Sequence, residues 1–223
     1  MKDCDHHTQQ LRRGHHHRGW AHWGHKRRIS ANVRLYLQEN TNIADAIFTY
    51  DASIMTKSGA ILMSPGKELR KVEQNIHRNF YKHNNIPIIG EVTGKATAEA
   101  GDTLWLDDNS LIVGKGFRTN QEGVNQIKEI MKPLQVNVFQ FDIPVYMGTE
   151  ACLHLMSLIS LVDHRKAFVY TPLLPVSLFK LLEEKGFTLI NAPEDEFLSS
   201  QSLSTNILTI SPRKCIMIDG FAM

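Results

Sequence analysis

The chain has 223 residues, the size of one ordinary domain or two small ones. Hydrophobic residues make up 42% of it and charged residues 22%, a mix that can build a core in water. Its longest nearly apolar run, Leu153 to Val162, is about ten residues and is broken by His154, Ser157 and Ser160, whereas a spanning helix needs about 20, so a membrane-embedded protein is excluded.

Three cysteines (Cys4, Cys152 and Cys215) are too few and too scattered for a disulfide framework or a zinc cluster, and no signal peptide opens the chain. A cytoplasmic location is the expectation. The net charge of +2 conceals an asymmetry: residues 1–28 carry +5 and the remaining 195 residues −3, and those first 28 residues also hold seven of the eleven histidines. The excess base belongs to a tail, and the body has no bias toward nucleic acid.

Residues 1–28 form a His/Arg/Gly-rich leader with too little apolar surface to offset the entropy of ordering it. The reading is a disordered leader; a metal-binding histidine tract or a basic arm are the alternatives. The body, residues 29–223, opens with a short portion of a unit that then recurs. Asp51-Ala-Ser-Ile-Met-Thr-Lys-Ser-Gly-Ala-Ile-Leu-Met reads strand, turn, strand. A helical pattern follows, with Leu69, Val72, Ile76 and Phe80 on one face, then a strand from Ile86 to Val92.

Asp102-Thr-Leu-Trp-Leu-Asp-Asp-Asn-Ser-Leu-Ile-Val-Gly repeats the hairpin. Thr119 and Glu122 stand at capping-box spacing before a helix with Val124, Ile127 and Ile130 on one face, and a strand runs from Val136 to Ile143. His154 opens a third hairpin that turns through Asp163 to Lys166. Its helix, Pro175 to Glu184, is closed by Gly186 at C′ and followed by a strand from Phe187 to Ala192. Asn206 opens a fourth hairpin. The opening residues 51, 102, 154 and 206 are spaced by 51, 52 and 52.

The body is thus α/β, three ββαβ units and the first hairpin of a fourth, and such units pack around an axis. Asp51, Asp102, His154 and Asn206 would then meet near that axis. A ring of polar groups would be expensive if dry and idle, which points to a central site or a water-filled channel. Read singly, Asp51 and Asp102 fit strand-entry turns, His154 a hydrogen-bonded core histidine, Glu99 a solvated loop acid and Arg70 an exposed helix residue.

The segments Phe48-Thr-Tyr-Asp51-Ala-Ser, Glu99-Ala-Gly-Asp102, Gly116-Phe-Arg118-Thr-Asn120 and His154-Leu-Met-Ser, in this order and spacing, resemble the guanidine-modifying superfamily. That superfamily comprises arginine deiminases, dimethylarginine dimethylaminohydrolases and amidinotransferases. The resemblance covers residues 43 to 223 and implies the pentein fold, an α/β propeller of five ββαβ units, here incomplete at about three and a half. It also implies cleavage of a guanidinium C–N bond by a cysteine thiolate, with an acid protonating the departing amine.

By the same resemblance Asp51 and Asp102 bind substrate, and Glu99 grips the guanidinium and holds His154, which serves as acid and then base. Arg70, 19 residues after Asp51, and Arg118, 19 after Glu99, would bind the α-carboxylate. A cation just before a helix start costs about a few tenths of a kcal/mol, which an anionic substrate group would offset at Arg118. The implied partner is a small guanidino substrate, with no metal and no organic cofactor; a homo-oligomer is possible.

Two features depart from the pattern. Met156 stands where deiminases and amidinotransferases carry a second aspartate, as dimethylarginine hydrolases do not. The family nucleophile lies in a final unit beyond Met223, while Cys215 falls in an apolar strand where a buried, inert thiol is expected and Cys152 is too close to His154 in sequence. The expected function is therefore hydrolysis of arginine or methylarginine derivatives by a Cys/His/Glu mechanism whose cysteine lies outside this chain, which alone would have no turnover. An amidinotransferase and a non-catalytic pentein scaffold are the alternatives.

Overall fold

A computed structural model describes residues 48–149 and 153–217 of the chain. The leader, the short opening portion of the body, Cys4 and Cys152 lie outside the described residues.

Three segments repeat one order of elements. In the first, β1 (Ser53–Met55) and β2 (Ala60–Leu62) pair antiparallel, Ser53 opposite Leu62. Helix α1 (Val72–His83) then crosses over to β3 (Ile88–Glu91), which lies parallel to β2. In the second, β4 (Thr103–Asp107) and β5 (Ser110–Lys115) form the hairpin, α2 (Gln121–Met131) crosses over, and β6 (Asn137–Asp142) pairs parallel to β5 from Ser110↔Asn137 to Lys115↔Asp142. The third comprises β7 (Ile159–Asp163), β8 (Lys166–Val169), α3 (Val176–Glu184) and β9 (Thr188–Asn191) with the same pairing. A short helix α4 (Glu194–Ser199), absent from the sequence reading, precedes the hairpin of β10 (Leu208–Ser211) and β11 (Lys214–Ile216). The described residues form three separate three-stranded sheets and this hairpin.

The alternation of side chains along a strand explains how the segments pack. Leu111 and Val113 of β5 face α2, where they meet Val124 and Ile127 and the β1 and β2 residues Ile54 and Ile61. Ile112 and Leu104 point the other way and join Leu155, Ile159 and Leu178 of the third segment. The second sheet thus contributes one face to each of two neighbouring cores.

Several local expectations are corrected. Leu69 and Val72 are exposed; the buried face of α1 is instead Glu73, His77, Phe80 and Tyr81, three of them polar. The α2 cap is Asn120, whose side-chain oxygen accepts from Gly123 N–H at 2.8 Å, not Thr119, whose hydroxyl donates to Asp102 at 2.6 Å. His154 opens a single 3-10 turn, Leu155–Ser157, before the third hairpin begins at Ile159. Cys215, expected to be buried, is exposed because β11 has no covering layer among the described residues, and its Sγ faces Thr209 and the Val162 carbonyl. Gly186 does follow α3 in the left-handed region, at φ 71°.

Candidate active site

Asp51 lies in the turn that enters β1, and its position is fixed from three sides. Its backbone carbonyl accepts from Ala100 N–H at 2.9 Å, Oδ1 accepts from Gly101 N–H at 3.1 Å, and Oδ2 from Arg70 Nη1 at 2.8 Å. Glu99 precedes the 3-10 turn Ala100–Asp102 that enters β4. Its Oε1 accepts from Gly66 N–H at 2.9 Å and its Oε2 meets His154 Nε2 at 2.7 Å. The His154 ring also accepts from the Ser157 N–H, while Ser157 Oγ accepts from the His154 N–H, so the one-turn helix after it sets the ring's orientation.

One ligand atom from each of Asp51, Glu99 and His154 lies within 4.8 Å of the other two, and all three residues are buried. Residues 51, 99 and 154 come from three different segments, brought together because each stands at the entry to its own hairpin. The same three atoms are the set that could converge on a cation, metallic or organic.

Charge decides which. Burial works against the ionised form of Glu99, but the His154 hydrogen bond and charge, the Gly66 N–H and Arg70 together hold its carboxyl below the ordinary range. Asp51 and Glu73 both contact the guanidinium of Arg70, each with a carboxylate oxygen at 2.8 Å from a guanidinium nitrogen. A delocalised planar cation with donors in its plane suits two carboxylates and an imidazole at this spacing.

The other expected site residues are placed differently. Asp102 sits behind the cluster: Oδ1 accepts from Leu155 N–H at 3.1 Å and Oδ2 from Thr119. Burial pushes its carboxyl up to about 6, against the lowering effects of His154, Thr119 and Leu155. It joins the second segment to the third as Asp51 Oδ1 joins the first to the second. Asn206, at the fourth equivalent position, is exposed, and neighbouring Thr205 makes the contact instead, to the Ser157 carbonyl.

Arg70 is buried and its guanidinium points at protein groups, Glu73 and Phe48 as well as Asp51. Arg118 is half-buried, and its Nε and Nη2 are buried with no hydrogen-bond partner among the described residues. Its main chain packs on Gly66, the residue whose N–H holds Glu99; a Cβ at Gly66 would come within 3.1 Å of the Arg118 carbonyl oxygen. Met156 is half-buried in the turn after His154.

Sequence reasoning missed Glu73, Gly66 and Ser157. The first was readable as an acid three residues after Arg70 at the start of a helical pattern. The other two act through a backbone N–H or a local cap, which leave little trace in residue type.

The arginine deiminase family model matches residues 26–177. Among curated proteins, an N(G),N(G)-dimethylarginine dimethylaminohydrolase of Pseudomonas aeruginosa is 26% identical over 183 residues, 79% of this chain and 65% of that one. A second, from Streptomyces coelicolor, is 30% identical over 141 residues, 60% of this chain and 50% of its own length. The chain therefore spans between about half and two thirds of these relatives. Among solved structures, the Pseudomonas aeruginosa enzyme in complex with citrulline superposes with a TM-score of 0.65 at 20% identity, over 86% of this chain and 72% of the other. The amidinotransferase SxtG from Microseira wollei gives 0.60 at 14% identity, over 75% and 57%. Among the described residues no helix is long and apolar enough to cross a membrane. With the family match covering more than half the sequence, the chain belongs to the arginine deiminase family, and it shares the α/β pentein fold of these structures.

Proposed function

We propose that the protein belongs to an amidine hydrolase acting on arginine or a methylated arginine, with Asp51, Glu99, His154 and Arg118 as its contribution to the site. The observation that carries the proposal is the buried convergence of Asp51, Glu99 and His154 within 4.8 Å. Asp51 and Glu99 bind the guanidinium in its plane. Arg118 meets the α-carboxylate with the two nitrogens that have no partner among the described residues. A cysteine thiolate attacks the central carbon, the C–N bond to the departing amine breaks, and His154 supplies the proton to that amine. His154, now neutral, then takes a proton from the water that releases citrulline, and Glu99 stabilises the protonated ring before the first step and after the second.

Cys215 is not in the cluster, its Sγ being turned to Thr209 of its own hairpin and to the Val162 carbonyl of β7. The nucleophile therefore lies outside the described residues. The repeated segments fit an arc of a propeller whose axis passes the hairpin entries, with the site at that axis. Cys215's position also favours a second reading, a guanidino-binding protein without catalysis.

The test is calorimetric titration of the 223-residue chain with arginine and Nω-methylarginine. Binding that is lost in Asp51→Asn and Glu99→Gln supports the site; no binding by the wild type sinks it. Citrulline formation by the chain alone would overturn the placement of the nucleophile. Binding without turnover, even when the chain is supplied together with its full-length relative's cysteine-bearing unit, would favour the second reading.

A further inference from the structure

Two loops clasp Glu99, and each carries a large apolar side chain out to solvent. Glu99 Oε1 accepts from Gly66 N–H at 2.9 Å, and the Glu99 N–H donates to Thr119 Oγ1 at 3.2 Å. Gly66 leads into the 3-10 turn Glu68–Arg70, which holds Leu69. The Thr119 carbonyl accepts from Gly116 N–H at 3.0 Å, closing a turn with Phe117 and Arg118 between them. The loops also touch each other, since a Cβ at Gly66 would come within 3.1 Å of the Arg118 carbonyl oxygen. Leu69 is 86% exposed and Phe117 54%, and neither packs in any of the three apolar clusters of the described residues. One exposed apolar side chain is ordinary. Two of them, on loops pinned to the same buried carboxylate, flank the site to which that carboxylate belongs.

We propose that the site takes an arginine whose α-nitrogen carries an apolar acyl group, and that Leu69 and Phe117 receive that group. The inference rests on the guanidino-binding reading of the site and deepens it by naming the class of ligand. With the guanidinium at Asp51 and Glu99 and the α-carboxylate at Arg118, the α-carbon lies beside the turn from Gly116 to Thr119. A substituent on the α-nitrogen then leaves the site past the residue that precedes Arg118, which is Phe117. Burying an acyl chain there removes apolar surface from water on both partners. Acylation also neutralises the α-nitrogen, which suits a position next to the Arg118 cation. The same chemistry is offered by a simple acyl-amino acid and by the C-terminal arginine of an apolar peptide.

Calorimetric titration of the 223-residue chain with arginine, Nα-acetyl-arginine and Nα-octanoyl-arginine tests the proposal. The octanoyl compound should bind at least about tenfold more tightly than the acetyl one, the equivalent of taking about two methylenes out of water. Leu69→Ser and Phe117→Ser change exposed side chains, so both proteins should fold. Each should reduce the octanoyl-to-acetyl ratio by about threefold or more and leave arginine affinity unchanged. Acetyl-leucyl-leucyl-arginine separates the two sources: tighter binding than the octanoyl compound assigns the rim to a peptide end, and weaker binding assigns it to an acyl-amino acid. Equal affinity for the acetyl and octanoyl compounds overturns the proposal, as does binding of arginine with rejection of both. A ratio undiminished in the double serine variant, or octanoyl binding undiminished in Glu99→Gln, overturns it too, because the chain is then held elsewhere. Failure of the wild type to bind any of these compounds is a different result, and it removes the guanidino reading itself.

Discussion

The Glu99 carboxylate and the His154 imidazole, 55 residues apart, meet at 2.7 Å between Oε2 and Nε2, the first fully buried and the second mostly so. Neither oxygen of Glu99 is idle, because Oε1 takes the Gly66 N–H at 2.9 Å. Glu99→Gln preserves the shape but turns an NH2 toward one of these two donors. The expected loss of stability is about 1–3 kcal/mol, with loss of guanidino binding. The sign of the pH effect follows from the lowered carboxyl: its stabilisation is present above the ordinary value of 4.5 and lost as pH falls through the native value. Urea unfolding from pH 3.5 to 7 should show that acid-side loss in the wild type and a flatter limb in the variant.

Ala100 and Gly101 are adjacent and both buried, yet they tolerate opposite changes. A Cβ on Gly101 would lie 2.8 Å from Asp51 Oδ1 and 3.0 Å from His154 Cγ. The side chain of Ala100 already packs in the core with Ile54 and Trp105. Gly101→Ala should displace both site residues, reducing arginine affinity by about tenfold or more at a stability cost of about 1–3 kcal/mol. Ala100→Gly should cost about 1 kcal/mol through the lost methyl and added chain entropy while leaving affinity unchanged. Equal losses of affinity in both variants would count against this division.

The repeat was legible because hairpin entries recur in step and because alternation and helical spacing survive in every segment. What was not legible lies where polar groups are buried in pairs. The α1 face of Glu73, His77 and Tyr81 packs against Arg70 and Ser53, with Ser53 Oγ 2.9 Å from His77 Nδ1 and 2.5 Å from the Tyr81 hydroxyl. Hydrophobic periodicity assigns such residues to solvent and hands the inner face to Leu69 and Val72, which are exposed. Asp102 was expected to bind substrate by the family resemblance, whereas its Oδ1 accepts from Leu155 N–H of the third segment and its Oδ2 from Thr119 of its own. Short-range patterns cannot separate these roles, since they differ in a partner 53 residues away.

The start of α2 offers a second contrast. Asn120 Oδ1 accepts from both Gly123 N–H and Thr97 N–H, at 2.8 and 3.1 Å, and its Nδ2 donates to the Lys95 carbonyl at 2.9 Å. Asn120→Ala should therefore cost about 1–2 kcal/mol, the upper range for a helix cap. Glu122→Gln, at the position the capping-box spacing favoured, should change stability by less than about 0.5 kcal/mol. Thermal unfolding of the two variants at one pH distinguishes them.

Asp102 and His77 are buried groups displaced in opposite directions, and they predict a pH dependence that only single variants reveal. Burial raises Asp102 from 3.8 to about 6, so between these values the native protein holds a proton that the unfolded chain has released, and stability falls as pH rises. Burial, with the charge of Arg70, lowers His77 from 6.5 to about 4. Across that window the unfolded chain holds the extra proton, and stability rises with pH. Each effect is on the order of 3 kcal/mol, so the two nearly cancel between about pH 4 and 6. Asp102→Asn leaves the histidine unopposed, and its stability should climb with pH through this range. His77→Gln, which keeps an acceptor for the Ser53 hydroxyl, leaves the aspartate unopposed, and its stability should decline over the same range. Denaturant midpoints measured at half-unit intervals should give slopes of opposite sign in the two variants; slopes of the same sign would show that one of these groups does not titrate as its burial requires.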